Sequence, residues 1–131
     1  MKYLLDTHTM LWTLENDPQL SEKAKIIIKN PENELFVSIV SLFEIAIKTK
    51  IGKMDTKRNN DEITEELAKI DIILLPISNQ HLDYYQLIPL ISDHRDPFDR
   101  LLIATAYKEN FTVISIDEKF SNYTDFVNIL W

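Results

Sequence analysis

The segment His94-Arg95-Asp96-Pro97-Phe98-Asp99-Arg100 runs straight into the apolar stretch Leu101-Leu102-Ile103-Ala104-Thr105-Ala106. It gathers two carboxylates and three cationic side chains at the mouth of a helix. Asp96 stands where an N-cap belongs, Pro97 fits the first helical position, and Asp99 falls at the third. An acid at that third position serves either of two ends. It can complete a variant of the capping box, or it can be a hard-cation ligand held rigidly at a helix start. The choice depends on whether other acids reach the same place.

Those acids must be positioned by regular elements. Lys2–Leu5 reads as a short buried strand ending at Asp6, and 9–14 as helical. Ser21 caps a helix that runs through Lys29. Residues 35–38 form a second strand, and Ser41-x-x-Glu44 is a full capping box opening a helix towards Lys50, with Gly52 as its stop. An amphipathic helix spans 61–70 with Ile63, Leu67 and Ile70 inward. Residues 72–77 form a strand, Ser78 caps a helix ending near Pro89, and the Asp96 helix runs to about Glu109, with Asn110 as its stop. Residues 111–116 form a strand ending at Asp117, and 127–130 a last one. Strands alternate with helices and are continuous apolar runs, which predicts a parallel sheet covered on both faces, an α/β fold.

In such a sheet, ligands bind beyond the carboxyl ends of the strands. Asp6 and Asp117 sit at two such ends. Glu44 and Asp99, each expected at the third position of a helix that follows a strand, start at the same edge. One rim thus collects four carboxylates, five if Asp96 joins. Four like charges a few ångströms apart repel by several kcal/mol at an effective dielectric of ~20. Protonation or a hard cation relieves this. With no cysteine and three histidines in the chain, the ligand set is all oxygen, which suits Mg²⁺ or Mn²⁺. Such a site supports metal-assisted hydrolysis. Taken singly, each acid also fits a cap or a turn; their shared edge is the stronger argument.

Composition narrows the field. A chain of 131 residues, 45% of them hydrophobic, supports one core without staples and is read as a single domain over 1–131. No run approaches the roughly 20 apolar residues that span a bilayer. The N-terminus meets a carboxylate at Asp6, too early for a signal peptide. A cytoplasmic protein is the expectation. The net charge of −7 opposes broad phosphate binding, although part of the acidity belongs to the rim. One glycine excludes a Gly-rich phosphate cradle. Weaker candidates remain. His8 reads as a helix-start residue near Asp6, and His81 has no acidic partner that the sequence assigns. Lys48, Lys50, Lys53, Lys57 and Arg58 form a basic run beside the rim, which reads as a solvated face or a path for an acidic backbone. Trp12 and Trp131 read as core or interface residues.

Leu4-Leu5-Asp6-Thr7-His8, Ser41-Leu42-x-Glu44-Ile45-Ala46-Ile47-Lys48 with Gly52-Lys53, Asp96-Pro97-Phe98-Asp99-Arg100, and Ser115-x-Asp117-x-x-Phe120 together resemble a PIN-domain protein of the VapC type, the toxin of bacterial toxin–antitoxin pairs. The resemblance covers essentially the whole chain, in order. It implies a three-layer α/β/α sandwich around a mostly parallel sheet. It also implies a Mg²⁺- or Mn²⁺-dependent endoribonuclease with Asp6, Glu44, Asp99 and Asp117 as its acids, the third acid matching Asp99 rather than Asp96. The implied partners are an RNA substrate, a cognate antitoxin and a second copy of the chain. Many relatives carry Thr where this chain has Ser115, so a hydroxyl is kept. Lys48, Arg95, Arg100 and Ser115 are candidates for substrate contact. Competing readings are a PIN nuclease in RNA processing without an antitoxin, and a non-catalytic module whose acidic groove docks basic side chains. A phosphatase of the haloacid-dehalogenase kind is disfavoured, since His8 stands where its second Asp belongs.

Overall fold

The computed structural model describes residues 1–55, 57–91 and 96–131. Five strands form one parallel sheet: β1 (Lys2–Leu5), β2 (Glu34–Ser38), β3 (Ile72–Leu75), β4 (Thr112–Ile114) and β5 (Ile129–Leu130), in the order β3-β2-β1-β4-β5. The helices are α1 (Thr7–Glu15), α2 (Glu22–Lys29), α3 (Ile39–Lys50), α4 (Asn60–Lys69), α5 (Asn79–Tyr85) and α6 (Pro97–Glu109), with a 3₁₀ turn at Glu118–Tyr123. β1 lies at the centre, with Leu4 paired to Phe36 on one side and to Val113 on the other.

Period-2 alternation divides the core between two faces. Tyr3 and Leu5 of β1, with Leu35 and Val37 of β2, pack with Met10 of α1, Ala24 of α2, and Ile63 and Leu67 of α4. Leu4 and Phe36 point the other way, onto Leu102, Ile103 and Ala106 of α6 and onto Phe120 and Tyr123 of the 3₁₀ turn. The result is the three-layer α/β/α sandwich that the apolar strands and the resemblance led us to expect. Each Leu or Ile buried in it contributes about 1.5–3 kcal/mol relative to exposure. No helix among the described residues is long and apolar enough to cross a membrane.

Several boundaries depart from the sequence reading, for local reasons. α1 begins at Thr7, not at residue 9, because the Asp6 side chain is its cap. α3 begins at Ile39 with Ser38 as its cap, the Ser38 hydroxyl accepting from Val40 N at 3.1 Å. The expected capping box at Ser41 and Glu44 does not form. Ser41 is fully buried inside the helix, and Glu44 lies one turn further in than the third position. β3 stops at Leu75, before Pro76, which brings no N–H to a ladder. α5 ends at Tyr85, short of Pro89. β4 and β5 are shorter than read, and Asp117 caps the 3₁₀ turn three residues beyond the end of β4.

His81 has the acidic partner that the sequence could not assign. Its Nε2 lies 3.0 Å from Glu109 Oε1, and its Nδ1 accepts from Ser78 N at 3.1 Å. With Nδ1 accepting, Nε2 carries the proton and donates to Glu109. The buried ring so fastens the start of α5 to the end of α6. Trp12 and Trp131 pack against each other, ring centroids 5.8 Å apart, at the edge of the core.

Ile103 has no exposed surface. Ile103→Ala is expected to lower the free energy of unfolding by about 2–5 kcal/mol, as read by urea denaturation; a loss under about 1 kcal/mol contradicts this packing.

Candidate active site

The carboxyl edge of the sheet opens into a pocket of about 190 Å³ lined by Asp6, Thr7, His8, Glu44, Lys48, Asp96, Asp99, Asp117 and Lys119. All four expected acids reach it, and Asp96 joins them. Five carboxylates therefore face two ammonium groups and one imidazole.

Asp6 is held on both carboxylate oxygens. Its Oδ1 accepts from Thr9 N at 2.8 Å, capping α1, while Oδ2 accepts from the Ser115 hydroxyl at 2.5 Å. Its backbone N–H donates to Ile114 O at 3.2 Å, and the Thr9 hydroxyl donates to the same carbonyl at 3.0 Å. Burial raises the Asp6 carboxyl above its ordinary pKa of 3.8, against the lowering pull of the bonds from Ser115 and Thr9.

Ser115 has a second task. Its Oγ accepts from Asp117 N at 3.0 Å, and Asp117 Oδ1 in turn accepts from Lys119 N at 3.0 Å. One buried hydroxyl thus links the two strand-end acids. Ser115, a candidate for substrate contact, makes both of these bonds inside the protein and is 3% exposed.

Glu44 reaches the rim from the second turn of α3. The Thr7 hydroxyl donates to its Oε1 at 2.9 Å and lies 3.0 Å from the Ser41 hydroxyl. Lys48, one turn on, places its Nζ 2.6 Å from Glu44 Oε2. The bond to Glu44 holds the Lys48 ammonium above its ordinary range; partial burial opposes this, and the charges of Glu44, Asp96 and Asp99 support it.

Asp96 behaves as the expected cap, its Oδ1 accepting from Phe98 N at 2.8 Å with Pro97 opening α6. That leaves Asp99 in the first turn, facing the pocket. Arg100 is buried, its Nε 3.3 Å from the Tyr85 hydroxyl of α5. Arg95 and His94 lie outside the described residues. His8 is exposed at the pocket edge, its ring 5.8 Å from that of Trp12. Thr7, Thr9 and Lys119 were not singled out from the sequence. Thr7 follows Asp6 directly, but its role depends on α3 lying opposite, which no local pattern reveals.

The donor set suits a hard divalent cation: carboxylate oxygens predominate, two of the acids, Asp6 and Glu44, are buried, and negative groups outnumber positive ones. Among the described residues no three of these acids converge as a ready-made cation cage. The pocket is open, so waters or substrate oxygens would complete any coordination shell, as Mg²⁺ usually requires.

Sequence comparison places this architecture. The PIN domain family matches residues 3–125, and the chain belongs to that family. No curated protein sequence matches it. Among solved structures it is similar to VapBC2 from Rickettsia felis, bound to a DNA fragment from its promoter, with 18% identity, 99% of this chain and 98% of that one covered, and a TM-score of 0.64. It is also similar to VapBC-1 from nontypeable Haemophilus influenzae (20% identity, 99% and 97% covered, TM-score 0.63). A third is FitAcB from Neisseria gonorrhoeae (17% identity, 98% and 96% covered, TM-score 0.61). At these identities the likeness establishes the shared fold.

The raised carboxyl of Asp6 has a stability consequence. A group whose folded pKa is raised favours folding below its unfolded value and loses that benefit as pH rises through the folded one. Asp6→Asn removes the cost of burying the charge. In chelator, its melting temperature is expected to exceed that of the unaltered protein near pH 7. The gap should close as pH falls towards 3.8. A gap that widens on acidification contradicts this account.

Proposed function

We propose that this protein is a metal-dependent endoribonuclease and the toxin of a toxin–antitoxin pair. The observation that carries the reading is the arrival of Asp6, Glu44, Asp99 and Asp117 at one open pocket from four different elements. A docking surface for basic side chains needs no such convergence, nor a buried acid at its floor. The fold neighbours named for VapBC and FitAcB, and a further one described as a toxin–antitoxin complex from Klebsiella pneumoniae, support the pairing with an antitoxin. Partners on this reading are RNA, a cognate antitoxin and a second copy of the chain, in the cytoplasm.

Asp6, Asp99 and Asp117 would hold a Mg²⁺ or Mn²⁺ ion, with Glu44 at the second side of the pocket. When bound, such an ion activates water and neutralises charge on a phosphodiester. The chain's own residues prepare for this. Ser115 and Thr9 fix both oxygens of Asp6, so the carboxylate needs no reorientation when a cation arrives. Asp96 and Pro97 set the start of α6 and with it the position of Asp99. Thr7 holds Glu44. Lys48 and Lys119 are the ammonium groups that can meet phosphate oxygens, as point charges rather than as a bidentate fork. The acidic pocket repels an unaccompanied nucleic-acid backbone, so binding and catalysis both depend on cations. Cleavage would leave a 5′ phosphate.

Incubating total RNA with Mn²⁺, with Mg²⁺ or with EDTA, then mapping the cut ends, tests this. Cleavage is expected only with the metal. Asp99→Asn should abolish it while changing unfolding free energy by less than about 1 kcal/mol, the scale of a first-turn charge. Cleavage at the unaltered rate by that variant, or in EDTA, overturns the reading.

A further inference from the structure

The two sides of the pocket are neutralised differently. The hydrogen-bond partners of the Asp6 carboxylate, Thr9 N and the Ser115 hydroxyl, are neutral donors. Glu44, equally buried at 6% exposure, has a neutral donor on Oε1 and a full ammonium on Oε2. That ammonium belongs to the same helix, one turn on, where the spacing brings the pair together without cost to the fold. Its side chain is 35% exposed, so it borders solvent and the open pocket rather than the core.

We infer that Lys48 is a resident cation: in the nucleic-acid-free protein its ammonium takes the place of a second divalent ion at Glu44. The inference rests on the reading that the pocket binds a hard divalent cation. A cation approaching Glu44 must displace Nζ from Oε2 or meet it a few ångströms away, and like charges at that range oppose each other strongly in a partly buried site. Among the described residues no ammonium contacts the buried Asp6 carboxylate, so the first ion goes to the Asp6 side. A phosphate oxygen in the pocket is the natural alternative acceptor for Nζ, since Lys48 itself lines that pocket. Lys48 acts here through Glu44, as a positioning residue.

Calorimetric titration with Mn²⁺ alone, at neutral pH and without nucleic acid, reads the inference directly. The unaltered protein is expected to bind one ion per chain. Lys48→Gln should bind Mn²⁺ at least ~10-fold more tightly or take up a second ion, and Lys48→Arg, which keeps the charge, should match the unaltered protein. Thermal melts establish that both variants fold. Should Lys48→Gln fail to fold, the stoichiometry of the unaltered protein decides: two ions per chain overturns the inference and one supports it. Equal affinity and stoichiometry in Lys48→Gln and the unaltered protein also overturns it, leaving the divalent-cation reading intact. If none of the three binds Mn²⁺ in a manner that Asp6→Asn abolishes, the divalent-cation reading itself falls, and the role of Lys48 with it.

Discussion

The carboxylate of Asp6, buried at the carboxyl end of the central strand, is the constraint around which this protein is arranged. An ionised carboxylate is costly to bury unless its oxygens are hydrogen-bonded, and each bond that meets this demand also fixes a piece of the fold. The bond from Thr9 N starts α1. The bond from Ser115 ties the end of β1 to the chain beyond β4, and through Asp117 N it sets where the 3₁₀ turn begins. Strand, helix and neighbouring strand are therefore registered on one side chain. What the hydrogen bonds leave uncompensated is the charge itself, which burial penalises.

The remaining acids arrive by a shared device, the helix terminus. Asp117 caps a turn, Asp96 caps α6, and Asp99 follows from that cap by helical spacing. Caps contribute about 1 kcal/mol each to stability. Here they also hold carboxylates at a fixed edge with little conformational freedom left to lose. Glu44 is the exception. It comes from within α3 and relies on Thr7 of α1 and Lys48 of its own helix for its orientation. Its position thus depends on how two helices pack.

Much of this was legible in the sequence because it is local. The continuous apolar runs announced a sheet covered on both faces, and Asp6, Asp96 and Asp117 announced themselves at element ends. The α3 start was misread for an instructive reason. Ser38 and Ser41 both offer a capping hydroxyl, and only the second has an acid three residues on. The structure uses Ser38 because β2 runs up to it and turns directly into the helix, and Ser41 is then needed beside Thr7. The His81–Glu109 bond, the Thr7–Glu44 bond and the burial of Arg100 against Tyr85 were not legible, since each joins residues on different elements. Pairings of that kind follow from layer packing, which single-sequence periodicity does not encode.

The ring contacts beside the pocket have an optical consequence. Trp12 and Trp131 are the two tryptophans of the chain and touch each other, and the ring of His8 joins them to the pocket edge. Indole emission from this protein therefore comes from one corner of the fold and not from an average over the molecule. The nearer indole, Trp12, lies 5.8 Å from an imidazole that borders the acidic rim, so the chain carries its own fluorophore at the place where its chemistry is expected.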